Sequence, residues 1–226
     1  MLWILSALFF VGLAAREILG ATNFFRPRPI YVPYLVGVIA LAVACAWPPI
    51  SKWRFEKFLS AKATELTELT GRPEHARGRR ASVHCNSFFD TVFDSNVMAI
   101  GHANFETGEI VLQYLWCDKL KSFLDHPQRA DQDEIISLNV FTHEAMHVRG
   151  ERNEALTECQ AVQRNYRAAK LLGVPDDIAK KSARRYFDVY YKMRGDAGGM
   201  AGAYFSNECA PGKAMDEGLP DSTWVL

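Results

Sequence analysis

The sequence predicts an α+β protein: an N-terminal helical hairpin able to cross a membrane, then a polar domain with a small antiparallel sheet followed by three helices. Three observations predict it. Met1–Ala15 (MLWILSALFFVGLAA) and Ile30–Ile50 carry no charged residue. Beyond them, short alternating segments give way to apolar residues spaced three and four apart, which is the change from strand to helix periodicity. Finally, glycines and prolines end the helical segments, at Gly71 and Pro73, at Gly150, and at Gly173 and Pro175.

The apolar runs come first. Ile30–Ile50 matches the roughly 20 residues that a helix needs to cross a bilayer. The first run reaches about that length if Arg16 and Glu17 lie at the interface, and it lacks the basic start of a secretory signal. Trp3, Tyr34, Trp47 and Trp53 lie near the ends of the runs, as interfacial aromatics do. We therefore expect a two-span hairpin over residues 1–50, a juxtamembrane helix and basic linker over 51–81, and the polar domain over 82–226, with the lipid bilayer as a partner. Lysine and arginine are balanced between the two ends of the hairpin, so charge alone does not orient it. Cys85, Cys117, Cys159 and Cys209 make an even number in the polar part. That suits two disulfides in an oxidising compartment, with Cys85–Cys117 and Cys159–Cys209 as one of three connectivities. The expected location is the cell membrane with the polar domain extracytoplasmic; four free buried thiols are the alternative.

Composition excludes other classes. Twenty-six basic residues balance 26 acidic ones, so nothing points to a nucleic-acid partner. Aromatics at 12% and charged residues at 23% are those of a folded domain.

Lys52–Gly71 has helical spacing and is stopped by Gly71, Arg72 and Pro73; Pro73–Ala81 is a basic connector. Ser82–Cys85 reads as a strand, and Val97–Phe105 and Gly108–Leu115 as a hairpin turning at Glu106–Thr107. Cys117–Leu124 reads as a short helix. The three long helices run from about Glu134 to Val148, capped by Asp131 or Asp133; from about Arg152 to Leu172; and from Asp176 or Asp177 to about Arg194.

The chemistry lies in His143–Glu144–Ala145–Met146–His147. Residues four apart share a helix face, so both imidazoles can reach one ion, while Glu144 stands one position on, where it can handle water instead of metal. If the next helix packs back across a turn at Gly150–Glu151, Glu154 comes opposite His147 and Glu158 opposite His143. One acid can then complete the metal set and the other accept the free ring N–H of His143. Cys159, next to Glu158, is a rival ligand.

Asn153–Glu154–Ala155–Leu156–Thr157–Glu158 after an HExxH helix resembles the gluzincin zinc metallopeptidases, typified by the thermolysin-like and CAAX-processing membrane families. The resemblance implies a minimal zincin domain holding Zn2+ on His143, His147 and Glu154, with Glu158 behind His143. It further implies a peptide or protein substrate cleaved by metal-activated water with Glu144 as general base. Ala103–Phe105 and Gly108–Leu112 are similar to the edge-strand region against which those families lay an extended substrate. The link from His147 to Glu154 is shorter than in the large gluzincins. For the donor that stabilises the oxyanion the candidates are Tyr204, Tyr190, Tyr191 and His102, with Tyr204 preferred because the glycine-rich run before it can fold over a cleft. A non-peptidase zinc hydrolase and a zinc-stabilised binding or structural module on a membrane anchor are the competing expectations; the latter would need four protein ligands and no base.

Overall fold

A computed structural model describes residues 2–23, 28–69, 80–197 and 199–225. The chain forms two compact units, 1–55 and 56–226.

The first unit contains α1 (Leu2–Ala21) and the start of α2 (Val32–Leu69). Both helices are long and apolar enough to cross a membrane. Leu5, Leu8, Phe9, Val36, Leu41 and Val43 are exposed, unlike the side chains of a soluble core helix. One continuous helix of 38 residues replaces the separate span and juxtamembrane helix expected from the sequence. Pro48 and Pro49 remove two donors but fix φ near the helical value, so the backbone path survives them. The expected stop at Gly71–Pro73 lies outside the described residues, as does the basic connector apart from Arg80 and Ala81.

In the second unit a three-stranded sheet has the order β1 (Ser82–Cys85), β3 (Glu109–Leu112), β2 (Gly101–Ala103). It is mixed, not antiparallel: β1 runs parallel to β3, with Ser82 opposite Glu109 and Cys85 opposite Leu112. A parallel pair needs a crossover, and here it includes a short helix that the sequence reading missed, α3 (Phe88–Phe93), opened by a Ser87–Asp90 capping box. The β2–β3 hairpin turns on Asn104, whose side chain accepts from the backbone N–H groups of Glu106 and Thr107. Gly108 closes it at φ 79°, a left-handed conformation that glycine adopts without strain.

Next come α4 (Tyr114–Asp125), α5 (Gln132–Arg149), α6 (Glu154–Leu171) and α7 (Asp176–Arg185). Of the two caps expected for α5, Asp131 holds the position, in a reciprocal box with Glu134. The third helix does not run unbroken to Arg194. It passes through a π-helical segment, Tyr186–Tyr191, before α8 (Lys192–Ala197), and α9 (Gly199–Gly202) follows.

α5 is the centre of this unit and is buried at every position from Ser137 to Val148. Leu138, Phe141 and Met146 pack in a core with Ile110, Leu112, Leu120, Phe123, Leu59 and Leu66. Each such side chain contributes about 1.5–3 kcal/mol. Cys85–Cys117 and Cys159–Cys209 stand at disulfide distance, with Cα separations of 5.7 and 5.5 Å. The loops they close, 32 and 50 residues, correspond to about 3–4 kcal/mol each in the chain-entropy account.

Candidate metal centre

Two helix ends make the site. α5 stops at Gly150, whose φ of 123° is open to glycine, and α6 restarts at Asn153, whose side chain accepts from Leu156 N–H. The short turn returns α6 along α5, so Glu154 Oε2 lies 3.2 Å from His143 Nε2 and 3.4 Å from His147 Nε2. The three ligand atoms all fall within 4.8 Å of one another, and the group could hold a metal ion. Atoms on a tetrahedron with bonds of 2.0–2.1 Å stand roughly 3.3–3.4 Å apart, which the two Nε2–Oε2 distances match.

The outer ring nitrogens set the orientation. His143 Nδ1 is 2.9 Å from Glu158 Oε2, and His147 Nδ1 is 2.8 Å from the Glu151 carbonyl. Both partners only accept, so each Nδ1 donates and each Nε2 faces Glu154. Glu158 is fully enclosed. Its oxygens also receive the Tyr186 hydroxyl at 2.6 Å, the Asn139 amide at 3.0 and 3.1 Å and the Arg194 guanidinium at 3.1 Å. Asn165 holds the other end of Asn139 at 2.8 Å.

The site is electrically negative. Burial pushes the Glu158 carboxyl up, but the charge of Arg194 and the hydrogen bond from His143 hold it at about 2. Hydrogen bonds from His143 and then His147 hold Glu154 at about 2. Burial alone would depress His143; its bonds to Glu154 and Glu158 instead push it up to about 10. A site that holds a proton on imidazole this firmly favours positive charge at Nε2. A divalent cation competes with the proton for that lone pair.

Glu144 differs from the other two acids. Burial raises its pKa, and its Oε2 is buried without a hydrogen-bond partner. It borders a cleft of about 510 Å³, walled by Met98, Ile100, Val140, Arg194 and Tyr204. Strand β2 passes close by. A Cβ on Gly101 would stand 2.9 Å from Val140 Cγ1 and 3.3 Å from Glu144 Oε1, so only glycine fits without displacing one of them.

Of the four proposed oxyanion donors, Tyr204 lines this cleft, its ring 5.6 Å from that of His143 and 5.5 Å from the Arg194 guanidinium. The other three are placed elsewhere. His102 faces Asp94 at 3.9 Å, Tyr190 packs on Tyr186, and the Tyr191 hydroxyl is engaged with the Ser206 backbone. Cys159 is joined to Cys209 and does not compete for the ion. The sequence reading missed Asn139, Tyr186 and Arg194. Asn139 could have been found one turn before His143 on the same face. Tyr186 and Arg194 carry no local signal, because they reach Glu158 only through the tertiary fold. Comparison with protein-family models, curated proteins and solved structures matches nothing to this chain.

Proposed function

We propose that the chain is a membrane-anchored zinc metallopeptidase. The observation that carries the proposal is the convergence of His143, His147 and Glu154 beside a glutamate, Glu144, whose buried oxygen has no protein partner. Two imidazoles and a carboxylate suit zinc among the divalent ions. Bound there, zinc would polarise a carbonyl and acidify water.

The chain's own groups would do the rest. Glu144 lines the cleft, and its raised pKa suits a base that takes a proton near neutral pH and returns it to the leaving amine. Tyr204, whose ring lies under the Arg194 guanidinium, would donate its hydroxyl to the oxygen on which charge develops. β2 is an edge strand of the sheet and contributes Gly101 to the cleft wall, so an extended peptide could add to it through main-chain hydrogen bonds. Met98, Ile100 and Val140 would then receive an apolar side chain. The two apolar helices would anchor the enzyme, and the cysteine pairs suit an extracytoplasmic domain.

The test is zinc stoichiometry and chelator-sensitive peptide cleavage on the purified protein. Wild type should hold one equivalent and cleave. Glu154→Ala should lose the metal, and Glu144→Gln should keep it without cleaving. Zinc retained by Glu154→Ala would refute the ligand set, and cleavage by Glu144→Gln would refute the base. A protein that holds zinc yet cleaves no peptide would be a structural module or a hydrolase of another substrate class.

A further inference from the structure

One irregular element links two of the residues behind the metal centre, Tyr186 and Arg194. The π segment Tyr186–Tyr191 sits between α7 and α8, and wide π turns recur at functional sites. Its geometry decides which side chains share a face. An unbroken α-helix, turning about 100° per residue, would leave Tyr186 and Arg194 about 80° apart. With about 80° per residue across the π segment, they come within roughly 30° of each other. Both then reach the same atom: the Tyr186 hydroxyl lies 2.6 Å and the Arg194 guanidinium 3.1 Å from Glu158 Oε1. The guanidinium also lies over both the Tyr186 and Tyr204 rings.

The far end of the segment has a second attachment. The Tyr191 hydroxyl donates to the Ser206 carbonyl at 3.1 Å and accepts from Ser206 N–H at 3.0 Å. That pins the chain two residues beyond Tyr204. Tyr186, Tyr190 and Tyr191 are buried, while Asp188 and Val189 face outward.

We propose that the π segment is the element that organises the site from behind: it turns Tyr186 and Arg194 on to Glu158 as positioning residues, fixes Glu158 against His143 Nδ1, and so aims His143 Nε2 into the cleft. A regular helix in its place would deliver one of the two side chains and withhold the other. The zinc readout below rests on the metal-centre reading; the imidazole readout does not.

The experiment uses the full-length protein in detergent micelles, labelled with 15N on histidine. In metal-free wild type the His143 Nδ1–H should give a downfield, exchange-protected resonance, assigned by its absence from His143→Gln. Insertion of one alanine after the exposed Val189 turns Arg194 about 80–100° relative to Tyr186, and Arg194→Met removes one partner of Glu158 without shifting the helix. Both should lose the protected resonance and bind zinc about 10–100-fold more weakly, and Arg194→Lys should recover part of each loss. Near-UV circular dichroism and thiol titration establish that the variants are folded with both disulfides intact.

If either folded variant keeps the resonance and wild-type zinc affinity, the proposal fails while the metal centre stands. If the insertion does not fold, Arg194→Met alone decides by the same criteria. If wild type takes up no zinc, the metal reading fails, and the imidazole resonance still decides this one: lost in Arg194→Met it supports the positioning role, retained it overturns it.

Discussion

The two faces of α6 both bury charge, but they balance it differently. The face towards α5 brings Glu154 and Glu158 beside Glu144, with Arg194 the cation bonded to Glu158. The opposite face meets the C-terminal tail. There Arg164, 1% exposed, pairs with Glu217 at 2.5 and 3.1 Å, Arg167 pairs with Asp221, and Arg149 lies 3.7 Å from Glu217. Gln163 joins the same tail by donating to the Met215 carbonyl and accepting from Glu217 N–H. The tail face pairs Glu217 and Asp221 with arginines, although Arg164 Nε is buried there without a hydrogen-bond partner. The cleft face is left with a surplus of carboxylate, which raises His143 and leaves a Glu144 oxygen unpartnered. A buried charge without a partner costs stability and is retained where it serves a ligand or a reaction. One helix thus carries a structural face and a face shaped for a cation.

The contrast can be broken from either side. The largest expected effect is on the cleft face, where Glu144→Gln should lower peptide cleavage by about 10²–10⁴-fold, the range for a general base, with zinc content unchanged. Glu154→Ala on the same face should weaken zinc binding by more than the roughly 10–100-fold typical of losing an outer partner, as measured by chelator competition. On the tail face the effect should move from metal to stability. Glu217→Gln should lower the unfolding free energy by about 2–3 kcal/mol, less than for a fully enclosed pair because Glu217 is 27% exposed. Denaturant melts check the loss, and zinc stoichiometry should not change.

The pH dependence follows from the same pair. Burial pushes Glu217 up, but its hydrogen bond from Arg164 holds it below the ordinary carboxylate range. The carboxylate is therefore stabilised by folding. Its contribution is complete above the ordinary carboxylate pKa and is lost as pH falls through the lowered value. Melts in acid should show this step in wild type and not in Glu217→Gln. The smallest effect has the opposite sign. Glu144→Gln removes a buried acid with an orphan oxygen, so the metal-free protein should gain about 1 kcal/mol, or about 2–4 °C in Tm.

Legibility followed the range of the interactions. The α5 cap, the glycine that ends it and the Asn153 restart depend on neighbours a few residues apart, and they could be read directly. So could the pairing of His143 with His147 on one face. The parallel β1–β3 pair could not, because its partners belong to segments separated by a helix with its own cap. Nor could the cysteine pairing, where three connectivities were open until the Cα separations were known. The division at residue 50 followed the end of the uncharged run, a change in side-chain polarity that the α2 backbone passes through without interruption.

By itself the sequence determined the two apolar helices, the HExxH helix and the glutamate helix that follows it, since apolar length, i to i+4 spacing and capping act within one or two turns. Tertiary structure alone decided that Glu154 meets both imidazoles, that β2 brings Gly101 to the cleft, and that Tyr186 and Arg194 converge on Glu158. Those contacts join residues far apart in the chain, and their register depends on a glycine turn and a π segment whose effect is felt only once the helices pack.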